Sequence, residues 1–423
     1  MRILEHIFFL PKGVRTAKPA MLLLALWMLA WAVARKFFRQ RNTSRTSQPK
    51  RILFVAVGGL GDALMIIPVV RLLREAEPDA EITLATASNS AGKEIYAALP
   101  ALYNRLEIYD AEPKSWHEAM QQNRQWIERD FDEVLVSYIS SFGIFYVLPA
   151  LVSGTRQRIM LVDEHYMRSF YQWLFSEARV LNRKAERRSE IEMHSDLLSS
   201  GLGGLGITAT PDRTWTLPVR DAAKLAATEW LKSQSLWDAA GQQAARFVLV
   251  HAGSFQQQDY KRYPVEKYAA VIDALWLRGF KAVVIGTPAE RESFERLRSL
   301  CTAPLTACFG LELFTVCAII EHAALFIGND SGLGHLSILF NRPTVRIFGP
   351  SYYYGFRAWK PGPFKDVFQP LECTPCLRLA ILETKGLNAY TCGHRACLAD
   401  ISARTVLEAV ADVLPEKIFA SSP

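Results

Sequence analysis

Short apolar runs that end in glycine alternate along this chain with stretches of helical period. Residues 52–57 form the first run; it is too short for a buried helix, is stopped by Gly58-Gly59, and predicts a central parallel strand. Residues 63–77 are amphipathic at helical spacing up to Pro78, and 81–86 again read as a strand. Strand, helix and strand in that order predict a right-handed βαβ unit opening a doubly wound sheet, which strands over 134–137 and 158–161 extend. The alternation then restarts. Strands are predicted over 247–251, 281–286, 325–328 and 344–348, and helices over 265–278, 289–300, 312–322 and 333–340. Two such sets imply two Rossmann-like domains facing each other, 51–218 and 246–402, with a connector over 219–245 and a closing helix and tail over 403–423.

A different kind of segment precedes the first strand. Residues 20–34, AMLLLALWMLAWAVA, carry no charge and are flanked by Lys18 and by Arg35, Lys36, Arg39 and Arg41. As a helix this stretch is about 22 Å long, short of the ~30 Å hydrocarbon layer, so it either spans with snorkelling ends or lies in one leaflet. Ala32-Val33-Ala34 also fits a signal-peptide cleavage site. The basic residues that follow resist translocation, which favours an uncleaved, membrane-associated helix within residues 1–50 and a body on the cytoplasmic side of the inner membrane.

Charge sharpens this picture. The 423 residues carry a formal net charge of +7. Residues 1–50 hold ten Lys and Arg against Glu5 alone, so the rest of the chain has 39 bases and 41 acids. A near-neutral body argues against a nucleic-acid partner, whose basic stripe belongs on the folded domain. Seven cysteines, an odd number in a reducing compartment, argue against a disulfide framework.

Ligands of doubly wound sheets bind beyond the carboxyl ends of the strands, so three strand-end loops are candidate sites. The first is Gly58-Gly59-Leu60-Gly61-Asp62, whose glycines allow close backbone approach and whose acid stands at a helix start, where it also serves as an ordinary cap. It lacks the third glycine of a dinucleotide fingerprint, and no Gly-Lys-Ser/Thr follows to make a P-loop. The second runs from His251-Ala252-Gly253-Ser254 to Lys261-Arg262, cations that either meet a diphosphate or are simply solvated. The third, Gly328-Asn329-Asp330-Ser331-Gly332-Leu333-Gly334-His335, offers an anion a hydroxyl, free amides and a helix dipole. A capping Asp with a core histidine is the alternative there. Arg346-Ile347-Phe348-Gly349-Pro350-Ser351 form another strand-end loop bordering it.

Taken in order, Leu60-Gly61-Asp62 with Pro68 in the next helix, Lys261-x-x-Pro264, Asp330-Ser331-Gly332-x-x-His335, Arg342-Pro343 and Phe348-Gly349-Pro350 resemble glycosyltransferase family 9, the ADP-heptose:lipopolysaccharide heptosyltransferases. The resemblance covers about residues 51–412. It implies an α/β GT-B fold, with acceptor on the N-terminal domain and nucleotide-sugar donor on the C-terminal domain across a central cleft. It also implies metal-independent, inverting transfer of heptose from ADP-heptose to a lipid-linked lipopolysaccharide core saccharide. On matching positions Asp62 becomes the general base, with Gly59 and Gly61 in the acceptor-side loop, and Ser254, Lys261, Asp330, Ser331, Gly332 and His335 the donor site. Tyr263 stands where the family usually has Trp, and Gly58-Gly59 replace a more polar pair. A transferase of the same fold using another nucleotide sugar, and a membrane-tethered binding protein without activity, are the alternative readings.

Cys373, Cys376, Cys392 and Cys397 approximate zinc-ribbon spacing, C-x2-C-x15-C-x4-C, with His394 among them. A structural zinc and packed thiols are both open readings. A closed four-thiolate site would stabilise the loop without taking part in transfer.

Overall fold

The computed structural model describes residues 49–56, 58–109, 131–137, 211–237, 244–254, 258–376 and 392–414, the backbone of two strands at 157–163 and 177–181, and single residues at 121, 126, 129 and 191. The apolar segment 20–34 lies outside the described residues, among which no helix is long and apolar enough to cross a membrane. The chain divides into two compact units, Met1–Asp212 and Arg213–Pro423.

In the first unit, β1 (Arg51–Ala56), β2 (Glu81–Ala87), β3 (Arg105–Tyr109), β4 (Glu133–Val136), β5 (Gln157–Asp163) and β6 (Glu177–Leu181) form one parallel sheet in the order β3-β2-β1-β4-β5-β6. The first strand is apolar along its length because it is central: Phe54 lies in register with Leu84 on one side and Leu135 on the other. Helix α1 (Leu60–Ala76) is buried on nearly every face from Ala63 to Leu73, as its almost continuous apolar sequence there requires. Its last turn is closed by Arg74, whose Nη1 donates to the carbonyls of Pro78 at 3.2 Å and Ala80 at 2.8 Å. A short helix α2 (Gly92–Ala97) packs beside its start. Truncating a buried residue of this layer such as Leu53 to Ala removes about 2–5 kcal/mol.

The second unit repeats the plan. Its strands β7 (Phe247–His251), β8 (Lys281–Gly286), β9 (Leu305–Phe309), β10 (Leu325–Asn329), β11 (Thr344–Phe348) and β12 (Phe364–Phe368) are ordered β12-β11-β10-β7-β8-β9, all parallel. Helices α3 (Asp221–Ser233), α4 (Val265–Trp276), α5 (Arg291–Leu300), α6 (Leu313–His322), α7 (Gly332–Leu339), α8 (Tyr353–Phe356), α9 (Ala396–Ala399) and α10 (Ala403–Val413) accompany them. The stretch read as a connector contains α3, which packs on α6 within this unit. The closing helix α10 begins at Ser402, whose hydroxyl accepts the Thr405 amide at 3.0 Å, and buries Val406, Ala409, Val410 and Val413 in the core below β11 and β12.

Each sheet therefore reverses its winding between its first and fourth strands: β1 beside β4, and β7 beside β10. Such switch points leave a crevice at the carboxyl ends of the two strands, and all three candidate loops begin there. The four strands with no counterpart in the hydrophobic pattern, β3, β6, β9 and β12, are the four sheet edges.

Candidate functional site

In the first unit the loop after β1 is shaped around Asp62. Gly59 is the N-cap of α1 and Asp62 its third helical residue, whose Oδ2 accepts the Gly59 N–H at 2.7 Å. The cap is real, worth about 1 kcal/mol, and occupies one of the two carboxylate oxygens. Gly58 has φ +131°, and a Cβ there would stand 2.4 Å from the Asp62 Cβ, so both the backbone and the side chain of Asp62 require glycine. Ser90 braces the loop: its hydroxyl donates to the Gly58 carbonyl at 2.8 Å and accepts the Gly92 amide at 3.1 Å. Beneath lies buried Tyr96, whose hydroxyl is pushed up by burial and then by the negative charge of Asp62. Gly59 is exposed and Gly61 half-buried in the same turn.

In the second unit the loops after β7 and β10 are joined by one amide. Asn329, fully buried, accepts the Tyr263 amide and the Tyr268 hydroxyl on Oδ1, each at 3.0 Å. Its Nδ2 donates to the carbonyls of Ala252 at 3.0 Å and Gly253 at 2.9 Å. This brings Lys261 to Asp330, Nζ to Oδ2 3.2 Å, both side chains largely buried. Burial would raise the Asp330 carboxyl, but the charges of Lys261 and Arg346 bring it below the ordinary carboxylate range. Ser331 is the N-cap of α7 but makes no side-chain cap bond; its hydroxyl pairs with His251 Nδ1 at 3.0 Å. Helix α7 so begins beside an ion pair, with the orphan amides and positive dipole end of a helix N-terminus. One turn along, His335 is buried; burial and the Arg346 charge lower its pKa to about 3, so the ring is neutral.

The sequence-predicted donor residues thus converge, with differing tasks. Lys261, Asp330, Ser331, Gly332 and His335 surround one helix start. Ser254 acts on its own loop: its hydroxyl donates to the Gln258 carbonyl at 2.8 Å and accepts from Arg262 Nε at 3.0 Å. Tyr263, in the place of a Trp, fills the core and donates its hydroxyl to the Ile401 carbonyl at 3.0 Å.

Glu290 has no place among the sequence candidates, and the structure puts it at the same crevice. It follows β8, where its Oε2 accepts the Thr287 amide at 2.7 Å and hydroxyl at 3.0 Å. Its Oε1, buried, has no hydrogen-bond partner among the described residues and stands 3.7 Å from His251 Nε2. Burial pushes this carboxyl up, but the His251 ring and the Thr287 donors outweigh it and hold the pKa at about 2. The legible signal is glycine: a Cβ at Gly253 would lie 1.6 Å from Glu290 Oε1, and one at Gly286 3.0 Å from Oε2. Oε1 therefore faces Gly253 and His251, the residues that open the loop after β7.

The four clustered cysteines are free thiols. Burial first, and neighbouring thiols second, push Cys376 up to about 11 and Cys397 up to about 12. Among the described residues no three His, Cys, Asp or Glu side chains gather as a metal ion requires. Cys376 instead packs on Tyr260, next to Lys261, and Cys397 enters the main core.

Known proteins match this arrangement. The model of glycosyltransferase family 9 (heptosyltransferase) matches residues 164–385. Lipopolysaccharide heptosyltransferase 3 of Escherichia coli is 24% identical over 312 residues, covering 71% of this chain and 83% of that protein. Among solved structures, a family 9 glycosyltransferase from Veillonella parvula superposes with a TM-score of 0.68 at 21% identity, covering 88% of this chain and 100% of its own. ADP-heptose lps heptosyltransferase II of E. coli gives a TM-score of 0.62 at 19% identity, covering 87% and 99%. These likenesses show a GT-B-like fold of parallel sheets, and the family match extends over half of the sequence. The chain belongs to glycosyltransferase family 9, the heptosyltransferases, and is a glycosyltransferase.

Proposed function

We propose that this enzyme transfers a heptose, with inversion, from ADP-heptose to a saccharide of the lipopolysaccharide core. The observation that carries the proposal is the helix start in the second unit, where the Lys261–Asp330 pair, the Ser331 hydroxyl and neutral His335 gather at the N-terminus of α7. In that reaction the acceptor oxygen attacks the anomeric carbon as the bond from that carbon to the diphosphate breaks. The acceptor proton passes to Asp62, held at the start of α1 by the Gly59 N–H. Negative charge growing on the departing diphosphate is met by Lys261 and the amides of α7. No resident metal is needed for these steps. Asp330, at the same helix start, suits a hydroxyl of the transferred sugar, and Glu290 Oε1 another hydroxyl of the donor.

Residues 20–34 and their basic flanks support a further part of the proposal, attachment to the cytoplasmic face of the inner membrane, where a lipid-linked acceptor is met.

A panel of nucleoside diphosphates read by thermal shift tests the donor. ADP at a hundred times its Kd is expected to add about 2.7 kcal/mol of stability, with UDP and GDP adding far less. Equal shifts from all three, or none from ADP, refute the ADP-sugar assignment.

A further inference from the structure

β11 reads Thr-Val-Arg-Ile-Phe and is buried at every position, so Arg346 is a charge in the middle of an interior strand. It is 0% exposed. In register beside it on β12 is Asp366, and the two form a fork: Nε to Oδ1 2.8 Å, Nη2 to Oδ2 2.9 Å. Asp366 is itself fixed by the Ala358 amide at 2.9 Å. A buried ion pair is a weak source of stability, since apolar residues of like volume often serve as well or better. Its retention here calls for another role.

The third guanidinium nitrogen shows one. Nη1 lies 3.4 Å from His335 Nδ1 and 3.3 Å from Nε2, so it sits over the ring and not on the lone pair of one nitrogen. Room for the arm comes from α7 itself, because a Cβ at Gly334 would stand 2.7 Å from Arg346 Cδ. Sequence, register and a glycine in the first turn of the helix thus cooperate to lay a fixed cation on one face of this imidazole.

We propose that Arg346, clamped by Asp366, is a positioning residue for transfer: it fixes the His335 ring beside the N-terminus of α7 where the donor diphosphate binds. The inference rests on the donor site proposed above. The charged groups facing His335 are Arg346 from β11, Asp330 from the loop after β10 and Lys261 from the turn before α4, with Asp366 behind Arg346 on β12; the Phe356 ring of α8 borders it at 6.4 Å. Burial first, then Arg346 and Lys261, oppose protonation and Asp330 favours it, so loss of Arg346 moves His335 toward the imidazolium while its burial remains. A charged His335 would bind Asp330 in competition with Lys261 and turn its N–H away from the donor.

The test uses the full-length chain carrying Arg346→Met, which keeps length and removes charge, and Asp366→Asn, which loosens the clamp with little change of shape. Histidine NMR without donor is expected to show His335 neutral from pH 5 to 8 in the parent and a raised imidazole pKa in Arg346→Met. The donor KM is expected to rise on the order of tenfold, with a new inflection in the pH profile of kcat/KM. In a His335→Gln background, Arg346→Met should then add almost nothing. Full additivity of the two substitutions, or an imidazole pKa that does not rise in Arg346→Met, overturns the proposal. Because the imidazole titration needs no donor, it is read separately from the ADP panel, so failure of the donor assignment is distinguishable.

Discussion

Removing Lys261 exposes how the donor site is balanced. In Lys261→Met the Asp330 carboxyl keeps its burial but loses its nearest cation, the largest influence that lowers its pKa. Breaking a buried pair from one side leaves an uncompensated charge and costs about 3–5 kcal/mol; the lower end applies here, since Arg346 still faces Asp330. The loss carries a pH signature. In the parent, Asp330 is depressed, so its contribution is present above the unfolded carboxyl pKa of ~3.9 and fades as pH falls through the native value. In the variant burial raises Asp330 above the unfolded value, so the penalty grows as pH rises from about 4 toward 7. Denaturant unfolding should therefore give a difference of about 3 kcal/mol between parent and variant at pH 8 and a smaller one at pH 4.5, vanishing only below the native Asp330 value. At pH 8 this corresponds to a Tm lower by roughly 6–12 °C for a unit of this size. Adding Asp330→Asn should restore most of the stability while leaving ADP binding lost. A deficit equal at both pH values, or one that Asp330→Asn does not relieve, refutes the reasoning.

Three more outcomes are expected. Asp62→Asn should lower transfer by about 10²–10⁴-fold while leaving the ADP thermal shift intact and stability within about 1 kcal/mol of the parent, since an amide oxygen still accepts the Gly59 N–H; unchanged turnover refutes the base assignment. Gly253→Ala forces a methyl to 1.6 Å from Glu290 Oε1 and should destabilise by about 1–3 kcal/mol, with Glu290→Ala in the same chain relieving the stability loss but not the loss of ADP affinity. Glu290 is depressed to about 2, so the parent should lose stability as pH falls from about 4.3 toward 2, and Glu290→Gln should show a shallower acid loss in unfolding titrations.

Central strands and Gly-rich strand ends were legible because they are continuous in sequence. β1, β7 and β10 are central and read as apolar runs, and β11 is buried at every position though Arg346 interrupts its run. Edge strands were not: Arg-Leu-Glu-Ile-Tyr in β3 and Phe-Lys-Asp-Val-Phe in β12 have one neighbour and partial exposure, which permits charge and breaks the run. The donor loops were recognised from residue types at a helix start, but their pairing joins positions 69 residues apart, which no local pattern displays. Glu290 escaped notice because its signal sits in other residues, the absent side chains of Gly253 and Gly286. In sequence Arg346 reads as part of a strand-end loop, and its partner Asp366 stands 20 residues on, in register beside it on β12.

Asn329 gives the site a property that the ligand will feel. With both amide hydrogens committed to the loop after β7 and its oxygen to the Tyr263 amide and the Tyr268 hydroxyl of α4, this residue has no valence left for a ligand and allows its neighbours little independent motion. The cradle is thus preorganised. The entropy of ordering it is settled during folding, and an arriving pyrophosphate need not meet it again. A pocket so stiff cannot reshape itself around a longer or shorter donor, so selectivity here must come from fit to a fixed template.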